Sequence, residues 1–305
     1  MNSVANEVAG AVPLIPGKRH AGVVDATRRR ASRGRRPLPG FGVSLGLGLA
    51  WMSLIVLLPL AALAWKAANL GLDGWLRVLH DPRVRASLEL SFGAALIAAL
   101  IASLAGTFIA WVVVRYRFPG RRLLDALVDL PFALPTAVAG IALTAIYSAN
   151  GWIGRLLEPH GIKIAYATPG IVIALIFVGL PFAVRTVQPI LETLGREPEE
   201  AAASLGAGRF TTLRRVILPE LLPGLLTGFS LAFARGLGEY GSVIFIAGNL
   251  PFKTEIAPLL ITIRLEEYDY NGAIGIAALL LAASFVCLLV INAIPALFAR
   301  NRRDA

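Results

Sequence analysis

Residues 90–114 read LSFGAALIAALIASLAGTFIAWVVV and contain no charged side chain. A helix needs about 20 predominantly apolar residues to cross the hydrocarbon core of a bilayer, and this stretch exceeds that length. Its apolar residues do not alternate with polar ones, as they would in a strand of a membrane β-barrel. The stretch therefore predicts a membrane-spanning helix.

Comparable apolar stretches recur along the rest of the chain. Of the 305 residues, 56% are hydrophobic and only 16% are charged, whereas a soluble domain carries about 25% charged residues. This balance excludes an ordinary soluble protein and predicts an all-α polytopic membrane protein with six transmembrane helices. The spans are expected at about residues 41–65, 86–114, 126–149, 164–188, 221–247 and 272–298.

The segments that connect these spans differ in their content of basic residues. Twenty Lys and Arg lie in one alternating set of segments, which includes both termini, and eight lie in the other set. Because basic residues favour cytoplasmic flanks, both termini are predicted to be cytoplasmic. The net charge of +10 then reports orientation rather than an acidic or nucleic-acid partner. We expect a disordered basic tail at residues 1–37, a six-span transmembrane domain at 38–300 and a short tail at 301–305.

Two prolines and two charges interrupt the predicted spans. Pro131 and Pro135 each remove a backbone donor and kink a helix, so this segment either lines a wet pore or bends only to pack. Arg235 and Glu239 stand four residues apart on the predicted fifth helix and therefore share one face. Charges within a bilayer are costly and usually functional. The pair either fixes helix packing or borders a conduction path, in which the arginine would favour an anion.

The sequence does not indicate an enzyme. The three histidines fall in the tail or in loops, and the single cysteine, Cys287, lies in the last apolar stretch. Matches to a dinucleotide fingerprint at residues 236–241 and to a nucleophile elbow at 42–46 fall inside predicted spans, where neither motif functions. The sequence has no Gly-rich phosphate loop followed by Lys-Ser/Thr. We therefore predict no catalytic residue, no metal site and no ATP site in this chain.

The longest predicted cytoplasmic loop contains residues 196–219, which read REPEEAAASLGAGRFTTLRRVILP. Pro198 suits the first turn of a helix, the two glutamates after it complement the helix dipole, and Gly206 is a natural stop. A second short helix is expected at residues 209–218, before a further proline. The pattern predicts a helix–turn–helix that lies parallel to the membrane.

This loop resembles the EAA signature of importer permeases of the ATP-binding cassette (ABC) type. The match consists of EAA at residues 200–202, Gly206 after three residues, and VILP at 216–219, where Val216 stands in place of the family's isoleucine. The resemblance implies a coupling helix that docks in a groove of an ATPase subunit. The docking residues it implies are Glu200, Ala201, Ala202, Gly206 and Leu218.

Four further segments resemble the T-type permease subunits of sulfate/thiosulfate importers, the CysT type. These segments are residues 115–121, 129–140, 181–189 and 237–249, and the resemblance extends over about residues 38–298. It implies that residues 38–300 adopt the fold of a type I ABC importer permease. The pore or gate candidates are Arg235, Glu239, Pro131, Pro135, Thr136 and Arg185.

The resemblance also implies a heteromeric importer in the bacterial inner (cytoplasmic) membrane. A homologous permease of the CysW type would form the other half of the pore, above two ATPase subunits of the CysA type. A periplasmic sulfate/thiosulfate-binding protein would deliver sulfate or thiosulfate. This chain itself would need no cofactor, because ATP and Mg²⁺ would bind the ATPase. Permeation of another tetrahedral oxyanion, molybdate or tungstate, and secondary anion transport remain alternatives.

Overall fold

A computed structural model describes the backbone of residues 41–301 and the side chains of residues 41–293. The predicted tail at 1–37 and all but the first residue of the tail at 301–305 lie outside the described residues. All regular secondary structure within the described part is helical. Residues 41–59 and residues 60–301 belong to two separate units.

The described helices are numbered in chain order, and short connecting turns separate most of them. They are α1 (Phe41–Ala68), α2 (Gly71–His80), α3 (Pro82–Arg115), α4 (Arg121–Val128), α5 (Leu130–Ala133), α6 (Thr136–Tyr147), α7 (Gly154–Leu157), α8 (Thr168–Leu194), α9 (Glu197–Ser204), α10 (Arg209–Thr212), α11 (Leu218–Leu237), α12 (Val243–Ile246), α13 (Ala257–Glu266) and α14 (Tyr270–Asn301). A 3₁₀ turn at Glu158–His160 and a π turn at Leu213–Ile217 complete the set.

Five helical segments are long and apolar enough to cross a membrane. They are α1, α3, α8, the continuous segment Arg209–Leu237 and α14. These segments overlap five of the six predicted spans. The remaining prediction, at residues 126–149, corresponds to a segment that the structure breaks into shorter helices.

At the predicted third span the structure shows a break where the sequence predicts proline kinks. The segment consists of the end of α4, then α5, then α6, and α6 is too short to cross a bilayer alone. Leu134 and Pro135 between α5 and α6 have extended ψ angles of 134° and 132°. The ring of Pro135 forces this break, because a residue that precedes proline is driven out of the helical region.

The fifth predicted span, at residues 221–247, is displaced toward the N-terminus. Its helix ends at Leu237, where glycines at 236 and 238 lower helix propensity. At the other end, the predicted separate helix at 209–218 runs directly into α11 through the π turn. The wider coil of that turn accommodates the missing backbone donor and the ring of Pro219. Apolar composition continues past Leu237 and concealed that boundary, whereas Pro219 suggested a helix end that the π turn bridges.

The core of the 60–301 unit is formed by α3, α8 and α11, which pack through small residues. Ala98, Ala102, Ala174 and Ala232 are at most 3% exposed. At Gly106 an added Cβ would lie only 2.7 Å from the Cβ of Ala183, so α3 and α8 approach closely. Small residues allow such contact between membrane helices, where van der Waals packing drives association. This rigid three-helix core supports the loops that carry the candidate sites.

Candidate functional site

Helix α9 begins and ends as the loop sequence predicts. Pro198 lies in its first turn together with three glutamates, which complement the positive end of the helix dipole. After the helix, Gly206 adopts a φ of +79°, and the N–H of Ala207 donates to the carbonyl of Ala202 at 3.0 Å. This closing turn requires a left-handed residue, for which glycine is best suited.

The last residue of α3 holds the first turn of α9. The Arg115 guanidinium forms an ion pair with Glu199, with Nη2 and Oε1 2.8 Å apart. The Arg196 guanidinium donates to the carbonyl of Arg115 at 2.7 Å, and Arg115 lies over the ring of Trp111 at 5.5 Å. Sequence reasoning missed this anchor, because Arg115 was used only as a topology signal and as part of the CysT resemblance. The partners of this ion pair are 84 residues apart in the chain, and a contact of that separation leaves no local sequence pattern.

The predicted docking residues differ in how far they are exposed. Glu200 and Ala201 on α9, Gly206 in the turn after it and Leu218 at the start of α11 are exposed. Ala202 is buried because it lies three residues after Glu199 and shares the inward face of α9 with it. The Ala202 side chain packs mainly within the chain, and its docking role stays a prediction.

Two large apolar side chains project from the same loop, and the sequence analysis did not select them. Leu205 is 88% exposed and Phe210 is 73% exposed. They flank the turn at Gly206, beside the outward face of α9. Exposed apolar residues next to small ones form a surface on which another protein can pack.

Arg185 on α8 is surrounded by acceptors from the segment that precedes the broken span. Its guanidinium binds the Asp129 carboxylate at 2.9 and 2.6 Å, the Asp125 carboxylate at 2.7 Å, the Asp125 carbonyl at 3.0 Å and Gln188 at 2.6 Å. These bonds use all five N–H donors of an arginine. We call Arg185, Asp125, Asp129 and Gln188 the Arg185 cluster. It attaches α8 to α4 and to the residue that precedes α5.

The broken third span packs against the turn that follows α11. Pro131 lies in the first turn of α5, and Pro135 immediately precedes Thr136, the first residue of α6. A Cβ added at Gly241 would lie 2.2 Å from Oγ1 of Thr136. One added at Gly140 would lie 2.3 Å from the Ser242 carbonyl. Glycine is therefore required at Gly140, which faces backbone atoms, whereas a Cβ at Gly241 would force the Thr136 side chain to move.

Arg235 and Glu239 form the expected pair, although Glu239 lies beyond the end of α11 and not on it. Arg235 Nη1 is 2.6 Å from Glu239 Oε2, and the Glu239 side chain is 2% exposed against 35% for Arg235. The other carboxylate oxygen of Glu239 accepts bonds from the backbone N–H and the hydroxyl of Ser242, at 2.8 and 2.9 Å. The sequence analysis did not identify Ser242. A glutamate followed three residues later by a serine is the sequence pattern that indicates such a contact.

A second set of ion pairs joins α3 to the segment around α13. Arg83 binds both oxygens of Glu255 at 2.7 Å each, and Arg264 binds Asp81 at 2.7 Å. Asp81 also accepts the backbone N–H of Arg83 at 2.8 Å and so caps α3. The sequence analysis treated residues 251–270 only as a loop, because contacts of such long sequence separation have no local signature.

Comparison with known proteins identifies the family. Residues 98–304 match the family described as "Binding-protein-dependent transport system inner membrane component". The chain belongs to this family. The predicted resemblance to an ABC importer permease is thereby confirmed. This chain also has relatives that match most of its length.

Sulfate transport system permease proteins CysT are among these relatives. Those of Salmonella typhimurium and Escherichia coli are each 49% identical to this chain over 267 residues, which are 88% of this chain and 96% of each relative. The CysT protein of Synechocystis is 50% identical over 244 residues, or 80% of this chain and 85% of that protein.

Solved structures of ABC transporters share the fold of this chain. A bacterial ABC transporter that imports the acidic polysaccharide alginate superposes with a TM-score of 0.68 at 15% identity, over 83% of this chain and 93% of that one. The same transporter type, in complex with an alginate pentasaccharide-bound periplasmic protein, gives 0.67 at 16% identity, over 82% and 92%. The predicted all-α fold of a type I ABC importer permease is confirmed.

Proposed function

We propose that this chain is the T-type permease subunit of an ATP-driven sulfate/thiosulfate importer and forms half of its translocation pore. The observation that carries the proposal is the 49% identity to CysT proteins over 96% of their length. The alternative oxyanions, molybdate and tungstate, are not favoured by these relatives. A secondary anion transporter would not account for the exposed helix–turn at residues 197–206.

The proposed assembly contains three kinds of partner. A CysW-type permease completes the pore, two CysA-type ATPase subunits bind ATP and Mg²⁺, and a periplasmic binding protein delivers the anion. The description of the family names a binding protein, and the similar alginate transporter is in complex with a periplasmic protein. In this arrangement the loop 196–219, both tails and residues 115–125 face the cytoplasm, in agreement with the distribution of basic residues.

Coupling to ATP hydrolysis is assigned to α9 and the turn after it. The outward side of this element presents Glu200, Ala201 and Gly206 together with Leu205 and Phe210. Its inward side is fixed to α3 by the Arg115–Glu199 ion pair. When the ATPase subunits approach one another, a displacement of α9 is transmitted to the three-helix core as a rigid-body movement. Leu218, at the start of α11, would complete the docking surface.

The pore face is assigned to the end of α11 and the broken third span. Broken helices mark substrate paths in membrane transporters, because their freed backbone groups need a wet or protein-lined environment. Arg235, Glu239, Thr136 and Pro135 lie in this region. Arg185 has a different role, since its five donors are already occupied. The Arg185 cluster ties α8 to the segment just before Pro131, and its proposed role is to fix the position of a gate formed by Pro131 and the broken third span.

The substrate assignment is tested by uptake of radiolabelled sulfate. Cells without their own T-type subunit are supplied with this chain and its neighbouring subunits, with and without excess unlabelled molybdate. We expect sulfate uptake that molybdate does not suppress. Uptake abolished by a low concentration of molybdate would move the substrate to another oxyanion and overturn the sulfate assignment.

A further inference from the structure

The two arginines of the candidate pore region differ in how their donors are used. Among the described residues, Arg185 spends five donors on four acceptor groups. Within the part of the chain that the structure describes, the one ion-pair partner of Arg235 is Glu239, reached through Nη1, and 35% of the Arg235 side chain is exposed. A guanidinium exposed to lipid would be very costly, so this surface faces water or the partner permease. Arg235 therefore has donors available to a passing anion, and Arg185 does not.

The ion pair of Arg235 also differs in form from two bidentate pairs in the described part of the chain, Arg83–Glu255 and Arg185–Asp129. Arg83 engages both oxygens of Glu255, at 2.7 Å each. The Glu239 carboxylate is instead divided, because Oε1 accepts two bonds from Ser242 while Oε2 contacts Arg235. Two parallel bonds to one carboxylate would consume much of the donor fork of a guanidinium. Ser242 therefore restrains Glu239 from closing such a pair.

Ser242 is itself held in place. It is fully buried, and its backbone carbonyl lies so close to α6 that a Cβ at Gly140 would be 2.3 Å away. The preceding Gly241 is in similar contact with Thr136. The broken third span thus clamps the turn that orients Glu239, and through Glu239 it fixes the guanidinium of Arg235.

We infer that Glu239 and Ser242 are positioning residues, which hold Arg235 as a charge-neutralised, multi-donor contact for a tetrahedral dianion in transit. This inference rests on the proposed function. The remaining N–H donors of Arg235 fit the oxygens of a tetrahedral oxyanion, as guanidinium groups do in phosphate and carboxylate recognition. The Glu239 charge opposes tight binding. A transport path needs such a balance, because the anion must enter the site and also leave it.

Charge neutralisation predicts opposite effects for the two members of the ion pair. Removal of the Glu239 charge, as in Glu239→Gln, leaves Arg235 as a full positive charge and tightens sulfate binding by about tenfold. Arg235→Gln abolishes binding. Ser242→Ala removes the hydroxyl bond to Glu239 and keeps the backbone N–H bond. The less restrained carboxylate occupies more of the guanidinium and weakens sulfate binding by about threefold, the value of a modest hydrogen bond. Ser242→Ala added to Glu239→Gln changes nothing further, because no carboxylate remains to be restrained.

The test is equilibrium binding of radiolabelled sulfate to the purified complex of this chain with its permease and ATPase partners, in the absence of the binding protein. ATP-dependent sulfate uptake, with the binding protein supplied, is measured in parallel for the wild-type complex and for each variant. Ser230→Ala, a buried serine elsewhere on α11, and Glu266→Gln, an exposed glutamate on α13, serve as matched controls. Co-purification of the partners verifies that each variant assembles.

The expected result is tighter binding and slower uptake for Glu239→Gln, no binding for Arg235→Gln, and weaker binding for Ser242→Ala. Equal losses of binding in Glu239→Gln and Arg235→Gln would indicate a purely structural ion pair and overturn the inference. If Glu239→Gln does not assemble, Ser242→Ala decides, because wild-type affinity in that variant contradicts its positioning role. Absence of sulfate uptake by the wild-type complex would overturn the proposed function itself.

Discussion

Arg115 Nη2 lies 2.8 Å from Glu199 Oε1, so the last residue of α3 is paired with the first turn of α9. The Arg115 side chain is only 8% exposed, and that of Glu199 is 28% exposed. Water therefore screens this pair much less than it would a surface pair. The contact is an ion pair without hydrogen-bond geometry. It joins the proposed coupling helix to the core, so a movement imposed on α9 would be carried into α3.

Arg115→Gln is expected to weaken this connection. Loss of one partner leaves Glu199 partly buried without its counter-charge, at a cost of about 1–3 kcal/mol. We expect sulfate uptake to fall by about tenfold while the complex continues to hydrolyse ATP. Uptake into proteoliposomes and phosphate release, measured on the same preparation, report the two activities. Arg117→Gln, at an exposed neighbouring position, is the control. Parallel loss of uptake and hydrolysis would contradict a coupling role.

Gly206→Asp is expected to abolish transport while the protein remains in the membrane. The substitution places a side chain and a charge in the proposed docking surface, and at φ +79° it also strains the backbone by about 1–2 kcal/mol. Gly161→Asp is a matched control, because Gly161 has a φ of +77° and open space around it. Membrane abundance and sulfate uptake are measured for both variants. Wild-type uptake in Gly206→Asp would exclude docking at this turn.

The Arg185 cluster predicts an order among its carboxylates. Asp129 accepts two side-chain hydrogen bonds from Arg185 and Asp125 accepts one. Asp129→Asn should therefore destabilise more than Asp125→Asn, by about 1 kcal/mol since both groups are partly exposed and screened. Thermal unfolding of the purified complex and sulfate uptake both test this order. Glu192→Gln, at the exposed end of the same hydrogen-bond chain, should have little effect. The reverse order would contradict the described geometry.

Gly140→Ala probes the clamp between α6 and the turn at Ser242. The added methyl would lie 2.3 Å from a backbone carbonyl, and overpacking of this kind costs about 1–3 kcal/mol. We expect lower uptake per assembled complex, together with a lower unfolding temperature. Gly93→Ala is the control, because nothing lies within 4 Å of its added Cβ and alanine favours a helix. Equal behaviour of the two variants would show that the close contact is not required.

Long apolar stretches and short capping signals are sufficient to predict much of the fold. The stretches around α3 and α8 and the helix from Glu197 to Ser204 follow from local composition, because burial in lipid and helix capping are local requirements. Pro135 was recognised as an interruption, but the depth of the break at Leu134 was not. Hydropathy likewise extended the fifth span past Leu237, since apolar residues continue after the glycine turn.

Fewer residues of the candidate site could be predicted from the sequence. Glu200, Ala201 and Gly206 were identified through a motif, and the structure places them at the surface. Neither the Arg115–Glu199 pair nor the Ser242–Glu239 contact has a motif of its own. Both depend on how helices distant in sequence meet, and a single sequence does not specify that packing. The side chains that position a site are for this reason harder to predict than those that form its surface.

The most direct test of the account is ATP-dependent uptake of radiolabelled sulfate by proteoliposomes. The vesicles contain this chain, its W-type partner and the ATPase, and the sulfate-loaded binding protein is supplied on the side that faces the periplasm. We predict uptake that requires ATP, the binding protein and an intact turn at Gly206. Sulfate uptake that continues without ATP or without the ATPase subunit would contradict the assignment of this chain as half of an ATP-driven pore.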